Sequence, residues 1–296
     1  MKNHLPVLEA KEDFGEWGPR SRILARRSTS DSSGAGSRIL RVTVYQKLLP
    51  MTEIRTADDL MSVMRDIALC HRWLYRVTGI LHGDINMNNI MIRRDGAKVV
   101  GVLIDYDLAI DINKPSSTSL ERIGVRRFMA IDLMKGSLIP HHARHDMEAM
   151  HWVLVWFTFR YEDGEEIRAT RRPLEKWVTS PLLDDVKNSF LHGIEGRPTP
   201  PFSSLFIPWI LPWNQLFGRG HDELGIYTAQ CKYYAQIKTK EVPNEIDFPT
   251  DAVFFHDTSM WTAFWNVLNP DKYVDFDDVC SSARLGFLPY QGHSNL

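Results

Sequence analysis

The fold is decided by one stretch of the sequence, ILHGDINMNNIMIRRDGAKVVGVLIDYDLA, which occupies residues 80–109. It contains two short apolar runs, at 89–92 and 98–104, whose Ile and Val residues are typical of β-strands. The Asp-Gly pair between the two runs is a strong signal for a tight turn between antiparallel strands. The stretch therefore predicts a β-hairpin with a loop on each side.

Three polar residues flank the strands of this hairpin. Asp84 and Asn89 lie where the first strand begins, and Asp105 follows the second. Because a hairpin brings the outer ends of its strands together, we expect two carboxylates and one amide to converge. A carboxylate can orient a hydroxyl and accept its proton, and oxygen ligands suit Mg²⁺. The cluster therefore favours phosphoryl transfer from a metal–nucleotide complex.

The same residues follow the pattern H-x-D-x-x-x-x-N, at 82–89, with D-Y-D at 105–107. This pattern resembles the catalytic loop and the metal-binding segment of protein kinases. The longer match HGDI-x-x-NNIM, with IDYDLA after it, is similar to the fungal-type protein kinase family. Residues 124–132, GVRRFMAID, resemble in part the segment that ends the kinase activation loop. The hydroxyl residues at 116–119 would then lie in that loop.

The resemblance implies roles for four residues of the hairpin region. Asp84 would be the catalytic residue that orients and deprotonates the acceptor hydroxyl. Asn86 would also be catalytic: it stands where serine/threonine kinases usually carry a Lys, and it can donate a hydrogen bond but brings no charge. Asn89 and Asp105 would bind Mg²⁺ and, through it, ATP. The Arg that often precedes the catalytic Asp is replaced by Gly83.

Two further residues are expected to support the loop. His82 begins the catalytic motif, and Asp146 opens a second strong helical pattern, DMEAMHWVLVWF, at 146–157. On local grounds Asp146 is a good N-cap for that helix. In kinases, an Asp at this helix start holds the backbone of the catalytic loop. The resemblance therefore implies a second role for the same side chain.

The expected fold class is α+β and kinase-like. It would consist mainly of the helical large lobe, with the catalytic-loop hairpin and a residual small-lobe strand or two. Residues 1–50 would be a remnant of the small lobe and hinge, with a disordered Gly-, Ser- and Arg-rich loop near 15–37. A strand is predicted at 38–46. Residues 51–296 would form the large lobe.

Local patterns predict the remaining elements. A short strand is predicted at 5–10, and the clearest helix runs over 56–76 with Thr56 as its N-cap. The buried face of this helix is expected to comprise Leu60, Val63, Met64, Ile67, His71 and Leu74. Further helices are predicted at 174–178, 184–191, 222–238 and 258–268, the last with core-facing aromatic side chains.

The sequence lacks parts that a kinase active site normally includes. No glycine-rich phosphate loop, no convincing phosphate-binding Lys and no helix with a partner Glu precede residue 51. A small lobe needs roughly 80 residues, so the expected function is a truncated and weak kinase that transfers the ATP γ-phosphate to protein Ser or Thr hydroxyls.

Two alternatives stay open. The first is a pseudokinase-like scaffold, and the second is a small-molecule kinase of the aminoglycoside or choline type, which shares the H-G-D motif. Residues 124–132 and 146–157 favour the protein kinase over the small-molecule kinase, because they resemble parts that small-molecule kinases lack.

The composition excludes several other classes. The 296 residues carry a net charge of −2, so no general attraction to nucleic acid or to a membrane surface is implied. The apolar runs are too short to span a bilayer, and the N-terminus has no secretory pattern. Three isolated cysteines suggest a reducing compartment without a disulfide or zinc framework: Cys70, Cys231 and Cys280. We therefore expect an intracellular protein, cytoplasmic or nuclear, that acts on a protein substrate; the sequence does not indicate its oligomeric state.

Overall fold

The computed structural model describes residues 4–14, 40–114, 125–135, 139–168, 172–237 and 257–268. The loop predicted at 15–37 and the hydroxyl residues at 116–119 lie outside these ranges. The described residues combine helices with small sheets, so the α+β class is confirmed.

The strands within these ranges are short. They are β1 (Leu8–Phe14), β2 (Leu40–Tyr45), β3 (Leu49–Pro50), β4 (Ile80–Leu81), β5 (Ile90–Asp95), β6 (Lys98–Leu103), β7 (Ile110–Asp111), β8 (Tyr161–Glu162) and β9 (Glu165–Glu166). All pairings among them are antiparallel, in four sheets ordered β1-β2, β3-β5-β6, β4-β7 and β8-β9.

Helices make up most of the described chain. They are α1 (Ala57–Thr78), α2 (Ile131–Met134), α3 (Ala143–Arg160), α4 (Lys176–Thr179), α5 (Leu183–His192), α6 (Leu211–Ile237) and α7 (Asp257–Leu268). The connections include three 3₁₀ segments and a π-helical segment. The 3₁₀ segments are Met51–Glu53, Arg126–Phe128 and Pro200–Leu205, and the π-helical segment is Phe206–Ile210. None of the helices in the described ranges is both long and apolar enough to cross a membrane.

The predicted hairpin is formed by β5 and β6. Its register runs from Ile90 opposite Leu103 to Asp95 opposite Lys98, so the first strand extends beyond the predicted 89–92. The two residues left in the turn begin with Gly96, whose φ of 59° suits a glycine. A third strand, β3, was not predicted; its two residues pair with β5 at the edge of the sheet.

Helix α1 agrees closely with its prediction. The hydroxyl of Thr56 accepts a 3.1 Å hydrogen bond from the N–H of Asp59, and Gly79 ends the helix in a left-handed conformation. All six positions of the predicted face are buried. The helix lies directly against β6 at Gly101, where a Cβ would be 2.7 Å from the carbonyl oxygen of Val63.

Helix α3 is central, because every one of its residues is buried. The prediction that Asp146 is its N-cap is wrong, since the helix begins at Ala143 and its N-cap is His142. The reason is a reciprocal pair of hydrogen bonds: the His142 side chain accepts from the backbone of His145, and the His145 ring accepts from the N–H of His142 at 2.9 Å. Histidines thus make the capping contacts that an acidic or hydroxyl residue usually makes.

The C-terminal helices are present with shifted boundaries. Helix α5 matches the prediction at 184–191, whereas α4 is displaced toward the C-terminus relative to 174–178. Helix α6 begins at Leu211, well before the predicted 222, and it directly continues the π-helical segment, so Pro208 and Pro212 lie within one helical run. The expected core aromatics of α7 are buried: Trp261, Phe264 and Trp265.

Candidate active site

The candidate site is centred on Asp84 in the loop of residues 82–89, called here the HGD loop. Its carboxylate oxygen Oδ2 accepts hydrogen bonds from the side-chain amides of Asn86 at 3.0 Å and Asn89 at 3.2 Å. The same two amides also donate to the backbone carbonyl of Asp84, at 3.1 and 2.9 Å. Two nearly buried amides therefore fix both the backbone and the carboxylate of Asp84.

Asn86 also shapes the HGD loop itself. Its side-chain oxygen accepts a 2.9 Å hydrogen bond from the N–H of Asn88. The backbone carbonyl of Asn86 accepts one from the N–H of Asn89 at 3.0 Å. The side chain of Asn86 is 2% exposed, so its contacts are with the loop. The predicted donor at this position is therefore directed at Asp84.

His82 connects the HGD loop to the end of β6. Its Nε2–H donates to the carbonyl of Ile104 at 2.9 Å, and Nδ1 accepts from the N–H of Asp84 at 3.3 Å. This pair of bonds requires the neutral ring. Burial lowers the pKa of His82 below its ordinary value, although the Asp146 carboxylate opposes the shift, so the neutral form is favoured. The ring also lies 4.9 Å from that of Tyr106.

Asp146, in the first turn of α3, holds the backbone of the HGD loop. Its carboxylate accepts from the N–H of His82 at 2.8 Å and from the N–H of Gly83 at 3.2 Å. It also bonds to the Nε2 atoms of His71, at 2.6 Å, and His141, at 2.9 Å. Burial alone would raise the pKa of Asp146, but the two histidines outweigh burial and hold this pKa well below its ordinary value. The side chain is therefore a buried anion with four donors.

Asp105 lies beside this group at the end of the hairpin. The N–H of Ile104 donates to the carbonyl of Asn89 at 2.9 Å, which joins the chain next to Asp105 to the HGD loop. Asp105 itself is exposed, and its carboxylate accepts from the N–H of Asp107 at 3.4 Å. Its backbone has a φ of 62°, a left-handed conformation that is rare outside glycine. Such strain is concentrated at functional sites.

Comparison with protein families gives one match that covers this whole site. The model of the fungal protein kinase family matches residues 7–158, about half of the chain. The chain belongs to the fungal protein kinase family. A search among curated proteins gave no match. The family match includes the hairpin, the HGD loop and most of α3, and it ends before α4.

The residues of this family member that could hold Mg²⁺ are oxygen donors. Both hydrogen bonds of the Asn89 amide use its nitrogen, so its oxygen is not engaged by them, and the Asp105 carboxylate faces solvent. Mg²⁺ accepts such ligands and usually keeps phosphates and water as the others. In the described ranges no three His, Cys, Asp or Glu side chains group around a metal position. A cation bound by Asn89 and Asp105 would therefore take its other ligands from phosphates and water.

The sequence did not predict two histidines that support the HGD loop through Asp146. His71 was expected only as a packed core residue, yet it is also a hydrogen-bond partner of Asp146. His141 was not singled out at all. A signal for it was available in the run HHARHD at 141–146, which places three histidines directly before an aspartate. No local signal could have paired His71 with Asp146, which lies 75 residues away.

Proposed function

We propose that this chain is a phosphotransferase with a kinase-like fold that moves the γ-phosphoryl group of ATP to a serine or threonine hydroxyl of a protein. One observation supports this most directly: the Asp84 carboxylate is fixed by Asn86 and Asn89 on a loop that a buried anion anchors. Phosphoryl transfer depends mainly on positioning and electrostatics, so a rigidly held carboxylate is the part that the protein must supply.

In the proposed reaction Asp84 orients the acceptor hydroxyl and takes its proton as the new P–O bond forms and the bond to ADP breaks. Asn86 keeps Asp84 in place through its two hydrogen bonds, and His82 and Asp146 hold the loop. Asn89 and Asp105 would hold Mg²⁺. When bound, that ion would neutralise charge on the phosphates.

The proposal extends to the organisation of the chain. Residues 1–50, with the two-stranded ribbon of β1 and β2, would be the remnant of the small lobe and hinge. Residues 51–296 would be the large lobe. A protein acceptor is favoured because residues 124–132 resemble a peptide-binding segment of protein kinases, which aminoglycoside and choline kinases lack.

Two substitutions test the phosphotransferase. With casein as the acceptor and labelled ATP, Asp84→Ala should lower the rate on the order of 10²–10⁴-fold, the range for loss of a general base. Asp105→Ala should lower it comparably and weaken Mg²⁺-dependent ATP binding. Asp95→Ala is the matched control, because this carboxylate is exposed at the far end of the same hairpin. Full activity of either site variant would refute the assignment.

A second candidate is a non-catalytic module that binds partners through the large lobe. It is favoured by Asn86, which stands where serine/threonine kinases usually carry a Lys and which brings no charge to a transferring phosphate. Calorimetric titration with ATP and Mg²⁺ distinguishes the two. Saturable binding that Asp105→Ala weakens supports the phosphotransferase, whereas no binding at millimolar nucleotide supports the module.

A further inference from the structure

A short segment beside the active site is held by buried ionisable side chains. This segment, called here the clamped segment, comprises residues 125–134: a 3₁₀ turn at Arg126–Phe128 followed by α2. It lies against the first turns of α3, where His145 contacts the segment and the adjacent Asp146 contacts the HGD loop. One helix start thus supports both.

The first clamp is Lys187 of α5. Its Nζ donates a 2.6 Å hydrogen bond to the backbone carbonyl of Met129. The side chain is fully buried, with Nζ 4.7 Å from the ring centre of Trp152 and 5.7 Å from that of Trp177. Burial lowers the pKa of Lys187 well below its ordinary value, although the Glu148 carboxylate opposes the shift. The amine has an N–H for the Met129 carbonyl in either protonation state. The Lys187 side chain is therefore fixed by these contacts and restrains the clamped segment at Met129.

The second clamp is Glu148 of α3, which is also fully buried. Its Oε1 accepts from the N–H of Ile131 at 2.9 Å and from the indole N–H of Trp152 at 3.0 Å. Its Oε2 bonds to Nε2 of His221 at 3.0 Å. Lys187 and Glu148 thus hold a carbonyl and an N–H that lie two residues apart in the clamped segment.

The third clamp acts on the side chain of Asp132. Arg144 lies 2.5 Å from its carboxylate, and Nε2 of His145 lies 3.1 Å from the same oxygen. Burial would raise the pKa of Asp132, but His145 and Arg144 outweigh burial and lower this pKa, so the residue remains an anion. The contacts of the three clamps are all made by side chains and backbone of this chain, and none of them involves a phosphate group.

We propose that Lys187 is a positioning residue that, with Glu148, holds the clamped segment in a preformed shape as the seat for the protein acceptor, without activation by phosphorylation. This inference rests on the proposed function for its enzymatic consequence. Lys187 lies outside the residues matched by the family model, so nothing in that match assigns it. It touches the clamped segment through Met129. Its loss should therefore weaken acceptor binding while the phosphoryl-transfer step is preserved.

The test replaces Lys187 with Met, which fills the same space between the tryptophans without the hydrogen-bond donor. Hydrogen exchange of the unphosphorylated full chain should become at least about tenfold faster in residues 129–132 and stay unchanged in the HGD loop, since the buried hydrogen bond to the Met129 carbonyl is lost. With casein and ATP, KM for casein should rise about tenfold, while kcat and KM for ATP stay unchanged. Lys176→Met, at an exposed lysine of α4, is the matched control.

A second variant guards against simple unfolding. Lys187→Gln retains a donor and should recover part of the exchange protection and part of the casein affinity. Unchanged exchange in residues 129–132 of a folded Lys187→Met protein would overturn the inference, as would a fall in kcat with unchanged KM for casein. If the wild-type chain transfers no phosphate, the proposed function fails, and hydrogen exchange alone then decides whether Lys187 holds the segment.

Discussion

At the residue scale, the position before Asp84 admits only glycine. Gly83 has a φ of 79°, and a Cβ there would lie 2.5 Å from the carbonyl oxygen of Leu108. The Arg that protein kinases often carry at this position is therefore excluded by the backbone, and this explains why the sequence has glycine there. An activation loop would find no arginine at this point to receive its phosphate.

Replacing Gly83 with Ala should lower the free energy of unfolding by about 2 kcal/mol or more, because it adds left-handed strain to an overlap with backbone. Gly96→Ala is the matched control. It has a φ of 59°, and among the described residues no atom lies within 4 Å of its added Cβ. Strain alone should cost that variant about 1 kcal/mol. Urea denaturation measures both, and equal losses would contradict the argument from Leu108.

Asp105 provides a second test at the same scale. Its φ of 62° suits glycine and asparagine better than alanine. Asp105→Gly should therefore be more stable than Asp105→Ala by up to about 1 kcal/mol. Both should lose Mg²⁺-dependent nucleotide binding, since both lack the carboxylate. Thermal denaturation and calorimetry separate the two effects. An alanine variant as stable as the glycine variant would show that the conformation of this residue carries no strain.

At the element scale, α7 is linked to the HGD loop through α1. Trp261 of α7 lies 5.2 Å from the ring of His71, and His71 bonds to the carboxylate that holds the loop. Trp261→Leu should release His71 and speed hydrogen exchange at the N–H groups of His82 and Gly83. Phe202→Leu is the control, because Phe202 is a buried aromatic residue that packs on Phe157 at 5.3 Å. Equal hydrogen-exchange rates at His82 and Gly83 in the two variants would contradict the proposed coupling between α7 and the HGD loop.

The elements differ in how far the sequence predicts them, for physical reasons. The hairpin and α1 depend on neighbours in the chain, namely the glycine of the turn at Gly96 and the cap at Thr56, and both were predicted. The start of α3 depends on capping hydrogen bonds between His142 and His145. Local preferences instead favour Asp146 as the N-cap, so this start was predicted wrongly. The motif located Asp84 and Asn89, but the support from His71 is a tertiary contact without a local pattern.

At the scale of the whole molecule, buried histidines should make stability depend on pH in the acidic range, between about pH 3 and pH 6.5. Burial is the largest influence on both His145 and His151 and lowers the pKa of each to about 3. In the unfolded chain these rings titrate near pH 6.5. Between these values the unfolded state binds more protons than the folded state, so stability must rise with pH. Carboxylates with lowered pKa, such as Asp146, add a further loss only below about pH 4.

His151 offers the sharper test of this pH dependence, because it lies away from the active site. Its Nε2 lies 3.3 Å from the side-chain oxygen of Asn214, and its ring stacks on Phe217. Urea denaturation from pH 7.5 to 4.5 should give a slope of up to about 1.4 kcal/mol per pH unit for each buried histidine. His151→Gln keeps a polar partner for Asn214. It should reduce the slope of the unfolding free energy against pH by the contribution of one histidine, up to about 1.4 kcal/mol per pH unit. His192 is exposed and its pKa is raised by the carbonyl of Asn188, so His192→Gln should not reduce the slope. A slope unaltered by His151→Gln would mean that this ring is protonated in the folded core.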